Sequence, residues 1–228
     1  MTWVAIVPAK GTPHAKSRLV LPGIGPDIAT AFVLDTVSAL RCSALVQDVF
    51  VVTADEGIAV AVQGLGAIVI HENSALAAGG PASVGEPATL QDPLNRAIAQ
   101  GITAARDHAG EVDLAIVVGD LPCLATADVD AALTHACEHR LSMIPDKDGT
   151  GTTILLARAG ELFNPRFGMG SRVAHESSGH VPLDISLEST VRRDVDTAED
   201  LTEALSLGVG PYTRALIART SAAMAAED

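Results

Sequence analysis

A continuous apolar run, Trp3–Ala9, opens the chain and stops at Pro8-Ala9-Lys10-Gly11, a pattern that predicts a strand buried on both faces. Apolar residues then recur at helical spacing from Ile28 to Leu45, and a second apolar strand follows at Val49–Thr53. The alternation continues with a helix at Glu56–Leu65, a strand at Ala67–His71, a helix at Pro93–Ala109, a strand at Leu114–Val118 and a helix at Ala127–His139. Leu141–Ile144 and Thr152–Ala157 predict two strands joined at a turn through Asp146-Lys147-Asp148-Gly149. The last third predicts a short helix containing His175, a strand near Thr190–Asp194, and a helix from Ala198 to Leu207 closed by Gly208. Strands separated by helices of this length imply an α/β domain, a mostly parallel sheet with helices on both faces, spanning residues 1–228. Ser74–Gln91 is rich in Ala, Gly and Pro and has no periodicity, so a flexible loop is expected there, either a lid or a disordered insertion.

Composition narrows the partners. Lys and Arg number 15 against 28 acidic residues, a formal charge of −13 that repels a nucleic-acid backbone, so no polynucleotide partner is expected. The cysteines Cys42, Cys123 and Cys137 have no CxxC spacing, which fits reduced thiols and neither a disulfide framework nor structural zinc. No stretch approaches the roughly 20 apolar residues of a membrane span, and no basic segment precedes the first apolar run. A cytoplasmic protein is expected, with a homo-oligomer left open.

In so acidic a chain, three cations within Lys10–Arg18 (Lys10, Lys16, Arg18) stand out at the carboxyl end of the first strand, where open α/β sheets bind ligands. A polyphosphate suits them, although an ordinary solvated loop explains them as well. The segment is neither a Walker A loop, since Ala15 precedes Lys16-Ser17 and the spacing from Gly11 is one short, nor a GxGxxG fingerprint. Asp120, in Gly119-Asp120-Leu121-Pro122, follows the strand Leu114–Val118 and is either a turn aspartate or an oxygen ligand for a hard cation. Asp194 and Asp196, two apart in an extended segment, face one side and can share a metal; Asp196 with Glu199 also fits a capping box. Gly149-Thr150-Gly151-Thr152 and Phe167-Gly168-Met169-Gly170-Ser171 offer backbone amides and hydroxyls to an anion, while a hairpin turn and a helix cap are the bland readings. Asn95 is a helix cap or a reader of a base edge. His14 and His175 lack a second histidine at ligand spacing and read as structural or solvent-exposed.

Taken in order, Pro8-Ala9-Lys10, Lys16-Ser17-Arg18-Leu19, Asp92-Pro93-Leu94-Asn95, Gly119-Asp120-Leu121-Pro122, Gly149–Thr152, Arg166-Phe167-Gly168 with Ser171, and Asp194-Val195-Asp196-Thr197 make a pattern covering Val4 to about Pro211. It resembles the 2-phospho-L-lactate and phosphoenolpyruvate guanylyltransferases of coenzyme F-420 biosynthesis. The resemblance implies a glycosyltransferase-A-like nucleotidyltransferase domain that joins GMP from GTP to a small phosphorylated acid and releases pyrophosphate. It further implies that Pro8, Ala9, Lys10, Lys16, Arg18 and Asn95 bind the nucleotide and that Asp120, Asp194 and Asp196 hold Mg2+. Thr152, Gly168 and Ser171 would hold the acid, and Lys16, Arg18 and Asp120 would serve catalysis. Three relatives stay open beside it: a cytidylyltransferase for sugar acids, a molybdopterin nucleotidyltransferase, and a non-catalytic nucleotide-binding domain. A nicotinamide-dependent oxidoreductase is disfavoured by the missing glycine fingerprint.

Overall fold

The computed structural model describes residues 2–9, 27–72 and 92–224. Its elements run β1 (Trp3–Pro8), α1 (Asp27–Cys42), β2 (Val46–Thr53), α2 (Glu56–Gly64), β3 (Ile68–His71), α3 (Pro93–Ala109), β4 (Asp113–Val117) and α4 (Thr126–Ala136). After these come β5 (Leu141–Pro145), β6 (Thr152–Ala157), α5 (Ser171–Ser177), β7 (Val181–Pro182), a 3-10 turn at Thr190–Arg192, α6 (Ala198–Leu207) and α7 (Pro211–Met224). The strands form one seven-stranded sheet in the order β3-β2-β1-β4-β6-β5-β7. Only β6 runs against its neighbours, β4 and β5; the remaining pairings are parallel.

Every residue of β1 and β4 is buried, because helices cover both faces of the sheet; this is why these strands are unbroken apolar runs rather than alternating ones. On one face Ala5, Val7, Val51, Ala115 and Val117 pack with Val33 and Val37 of α1, Ile58 and Val62 of α2, and Val129 and Leu133 of α4. On the other, Val4, Ile6, Phe50, Val52, Leu114 and Ile116 pack with Ile98 and Ile102 of α3. Ile6 and Ile116 are register partners with no exposed surface, and burying each contributes roughly 1.5–3 kcal/mol. Gly101 lets α3 sit this low: a Cβ there would lie 2.5 Å from Ile6 Cγ2 and 2.9 Å from Val52 Cγ2.

A third cluster joins Ile28 and Phe32 of α1 to Leu201 and Ala204 of α6 and Leu216 of α7. Its cornerstone is polar. Asp35, buried in α1, accepts from the backbone N–H groups of Tyr212 and Thr213, both at 2.9 Å, and so satisfies amides that have no partner within α7, at its first turn. Burial raises the Asp35 carboxyl, against the lowering effect of these bonds.

Two local expectations are corrected. Thr190–Arg192 is a 3-10 turn, not a strand, because Asp128 of α4 draws Thr190 out of extended geometry. The capping box of α6 is built by Thr197 and Asp200, one residue later than Asp196 and Glu199. Among the described residues, no helix is long and apolar enough to cross a membrane.

Strands β2 and β3 add on one side of β1 and β4 adds on the other, so the strand order reverses between β1 and β4. The carboxyl ends of these two strands therefore border the crevice in which open α/β sheets bind ligands.

Candidate active site

At that crevice β1 ends in Pro8 and Ala9, both buried, with the Ala9 N–H donating to Val52 O at 2.8 Å. Gly119, leaving β4, stands against them: a Cβ on it would lie 3.3 Å from Pro8 O and 3.2 Å from Val33 Cγ2. The glycine thus lets the two strand ends close together, with Asp120 one residue further on. Lys10, Lys16 and Arg18, with His14, lie outside the described residues, as does Ser74–Gln91.

Asp120 is joined to the late aspartates through backbone. The Val195 N–H donates to Asp120 O at 3.0 Å, which sets Asp194 and Asp196 on either side of the residue that pairs with Asp120. The segment is secured from behind by Asp128, whose Oδ2 accepts from Thr190 N, Thr190 Oγ1 and Ser189 Oγ. Burial pushes the Asp194 carboxyl up to about 7, reinforced by the negative charges of Asp120, Asp196 and Asp146. Four carboxylates thus share one electrostatic neighbourhood, an arrangement costly for bare anions and suited to a hard divalent cation with oxygen ligands. The donor set fits magnesium. Asp196 is exposed, and because Thr197 caps α6, its carboxylate is not spent on the cap.

Asp146 is the residue that sequence reasoning passed over as part of a turn. Its carboxylate accepts from Thr150 N at 2.9 Å and Gly151 N at 2.7 Å, folding the β5–β6 turn around itself. A Cβ on Gly151 would collide with Asp146 Oδ2, so a larger residue at 151 requires this carboxylate to move. Gly149, at φ 71°, supplies the left-handed step of the same turn. Arg192, mostly buried, donates to Asp146 O at 2.9 Å and Ile185 O at 3.2 Å, linking the turn to the segment that leads to Asp194.

The second glycine segment packs on this turn. Gly168 (φ 126°) and Gly170 (φ 70°) bend the chain into α5, and Arg172 N donates to Thr150 O at 3.3 Å. Gly170 occupies the cap position, so Ser171 is not the cap expected of it; it is the first helical residue and is buried. Thr152 is buried too, with Oγ1 2.9 Å from His175 Nδ1. Thr152, Gly168 and Ser171 thus lie on two segments joined by the Arg172–Thr150 bond and the Thr152–His175 contact, with Asp146 in the turn between β5 and β6.

Asn95 is not the cap of its helix. Its amide makes a reciprocal pair with the Phe167 backbone, donating to Phe167 O at 3.0 Å and accepting from Phe167 N at 2.9 Å, and it is 5% exposed. The α3 cap is Asp92, which accepts from Leu94 N and Asn95 N. Asn95 therefore clamps the loop before Gly168.

The sequence profile of the family described as "Guanylyl transferase CofC like" matches residues 82–225. The chain belongs to this family. Relatives are alike over nearly the whole length. A phosphoenolpyruvate guanylyltransferase of Streptomyces scabiei (strain 87.22) is 39% identical over 222 residues, covering 96% of this chain and 97% of the relative. Another of that name, from Salinispora arenicola (strain CNS-205), is 40% identical over 227 residues, covering 96% and 95%. Among solved structures, a 4-diphosphocytidyl-2C-methyl-D-erythritol synthase superposes with a TM-score of 0.59 at 14% identity, over 90% of this chain and 97% of that one. That likeness establishes the fold, an α/β domain built on a mostly parallel sheet.

Proposed function

We propose that the protein is a phosphoenolpyruvate guanylyltransferase, joining GMP from GTP to phosphoenolpyruvate, with 2-phospho-L-lactate as the alternative acid, and releasing pyrophosphate. It acts in the cytoplasm as a step of coenzyme F-420 biosynthesis. The observation that supports this reading is the Val195–Asp120 backbone bond near the strand-order reversal, together with the electrostatic coupling of Asp194 to Asp120, Asp196 and Asp146.

Within this reading Pro8 and Ala9 bind the nucleotide together with Lys10, Lys16 and Arg18, whose charges balance the triphosphate and stabilise the departing pyrophosphate. Asp120, Asp194 and Asp196 would hold magnesium, which would neutralise phosphate charge on the two anionic reactants. Asp146 shapes the adjacent turn and adds to the negative field that favours a cation there. Thr152, the Gly168 backbone and Ser171 bind the acid. They direct its phosphate oxygen at the α-phosphorus of GTP, and a new phosphoanhydride bond forms as the bond to pyrophosphate breaks. Rate enhancement comes from alignment and charge neutralisation, so no covalent enzyme nucleophile is needed.

Pyrophosphate release measured with GTP, ATP and CTP, each paired with phosphoenolpyruvate, 2-phospho-L-lactate and 3-phosphoglycerate, tests the reading. GTP with phosphoenolpyruvate is expected to be fastest. Release driven by CTP, or GTP binding with no release for any acid, would overturn it.

A further inference from the structure

His175 has no exposed surface, and both ring nitrogens meet segments of the acid pocket. Arg166 N donates to Nε2 at 2.9 Å, and Nδ1 lies 2.9 Å from Thr152 Oγ1. An amide N–H can only donate, so Nε2 presents a lone pair and the single proton of the neutral ring sits on Nδ1. Burial, then the charges of His180 and Arg166, push the ring down to about 4, which keeps it neutral at neutral pH. Phe167 packs edge-on against it, ring centroids 5.2 Å apart at 69°, fixing the imidazole from a third side.

With the proton on Nδ1, Thr152 Oγ1 accepts from His175 and must itself donate elsewhere. Its other neighbour is Met143 Sδ at 3.8 Å, a weak acceptor that an anionic oxygen readily outcompetes. We infer that His175 is a positioning residue for acid recognition: it fixes the Thr152 hydroxyl as a donor to the substrate anion and ties the β5–β6 hairpin to the Arg166–Ser171 loop. This rests on the acid pocket proposed above. Removing the imidazole frees the hydroxyl to point either way and lets the two halves of the pocket part, so the acid is affected and the nucleotide is not.

Three substitutions separate the two bonds. His175→Asn keeps a donor near Thr152, His175→Gln keeps an acceptor near Arg166 N, and His175→Ala keeps neither. KM for phosphoenolpyruvate and for GTP are measured for each, with circular dichroism to confirm folding. His175→Ala is expected to raise KM for phosphoenolpyruvate about tenfold or more, as loss of hydrogen bonds worth about 1.5 kcal/mol or more implies, with KM for GTP within about twofold. The Asn and Gln variants should fall between it and the parent, and they decide the matter if the Ala variant does not fold. Folded variants with both KM values unchanged, or with both rising together, would overturn the inference. Thr152→Val and Ser171→Ala serve as controls. If they leave KM for phosphoenolpyruvate unchanged, the acid pocket itself is wrong; if they raise it while the His175 variants do not, only the role of His175 falls.

Discussion

Asp128 Oδ2 accepts two hydrogen bonds from Thr190, from its backbone N–H and from its hydroxyl, both at 2.7 Å. Burial raises the Asp128 carboxyl, but the bonds from Thr190 and Ser189 outweigh it and hold the group below its ordinary value. Asp128 belongs to a surface-facing helix, yet it determines where the chain begins its run to Asp194. Replacing Asp128 by Ala should cost about 1–3 kcal/mol of stability, the range for charge-assisted bonds. It should also lower turnover, because the 190–196 segment loses its anchor. Thermal unfolding and steady-state kinetics check both effects; a stable variant with normal turnover would mean that the segment is held by its other contacts.

Gly151→Ala places a methyl group against the Asp146 carboxylate, which already accepts from the backbone of Thr150 and Gly151. The turn must open to admit it. Urea denaturation is expected to show a loss of about 1–3 kcal/mol, as for overpacking in a closed site, and KM for phosphoenolpyruvate should rise with Thr152 displaced. Gly64→Ala, in helix Glu56–Gly64 with nothing within 4 Å of the added carbon, is the contrasting comparison and should be neutral to stabilising by up to about 1 kcal/mol.

Acid should weaken the fold through His175. Its folded pKa, about 4, lies below the ordinary 6.5, so between these values the unfolded chain binds the extra proton. The stabilisation is complete above about pH 6.5 and is lost as pH falls toward 4, reaching about 3 kcal/mol at 1.36 kcal/mol per pH unit. His180, also depressed by burial and 5.6 Å away between ring centroids, adds in the same direction. Asp194, raised to about 7, acts in the opposite direction over the same range, so the contribution of His175 is read as a difference between denaturant melts: from pH 7 to pH 5 the stability gap between the parent and His175→Asn should narrow, and an unchanged gap would assign the effect to other groups.

How much of this was legible in the sequence depended on whether the cause was local. Helix Pro93–Ala109, strand Thr152–Ala157 and helix Ala198–Leu207 lie where hydrophobic spacing and terminal signals put them, because their own residues encode those features. Helix Pro211–Met224 was not predicted: its segment is rich in small residues, and its cap is Asp35, a residue of the first helix. The capping box slipped by one because Asp196/Glu199 and Thr197/Asp200 both fit the pattern. Lys147, which pairs with Asp200 at 2.5 Å, adds a distant bond in favour of the second pair. Asp146 and Asn95 show the same limit within the site. A turn aspartate and a helix-start asparagine gave no sign that one would join the carboxylate neighbourhood and the other would clamp Phe167. That the segment carrying Asp194 and Asp196 pairs with Asp120, through Val195 N–H to Asp120 O, is a contact between distant parts of the chain that spacing alone does not give.

The central claim is that Asp120, Asp194 and Asp196 form one divalent-cation site, and the most direct measurement is titration of the purified protein with Mn2+ followed by electron paramagnetic resonance. The parent protein should take up the ion and Mg2+ should compete for it, whereas Asp120→Asn and Asp194→Asn, with unchanged circular dichroism, should lose most of the bound signal and turn over orders of magnitude more slowly. Full Mn2+ binding and near-normal turnover in both variants would contradict the account.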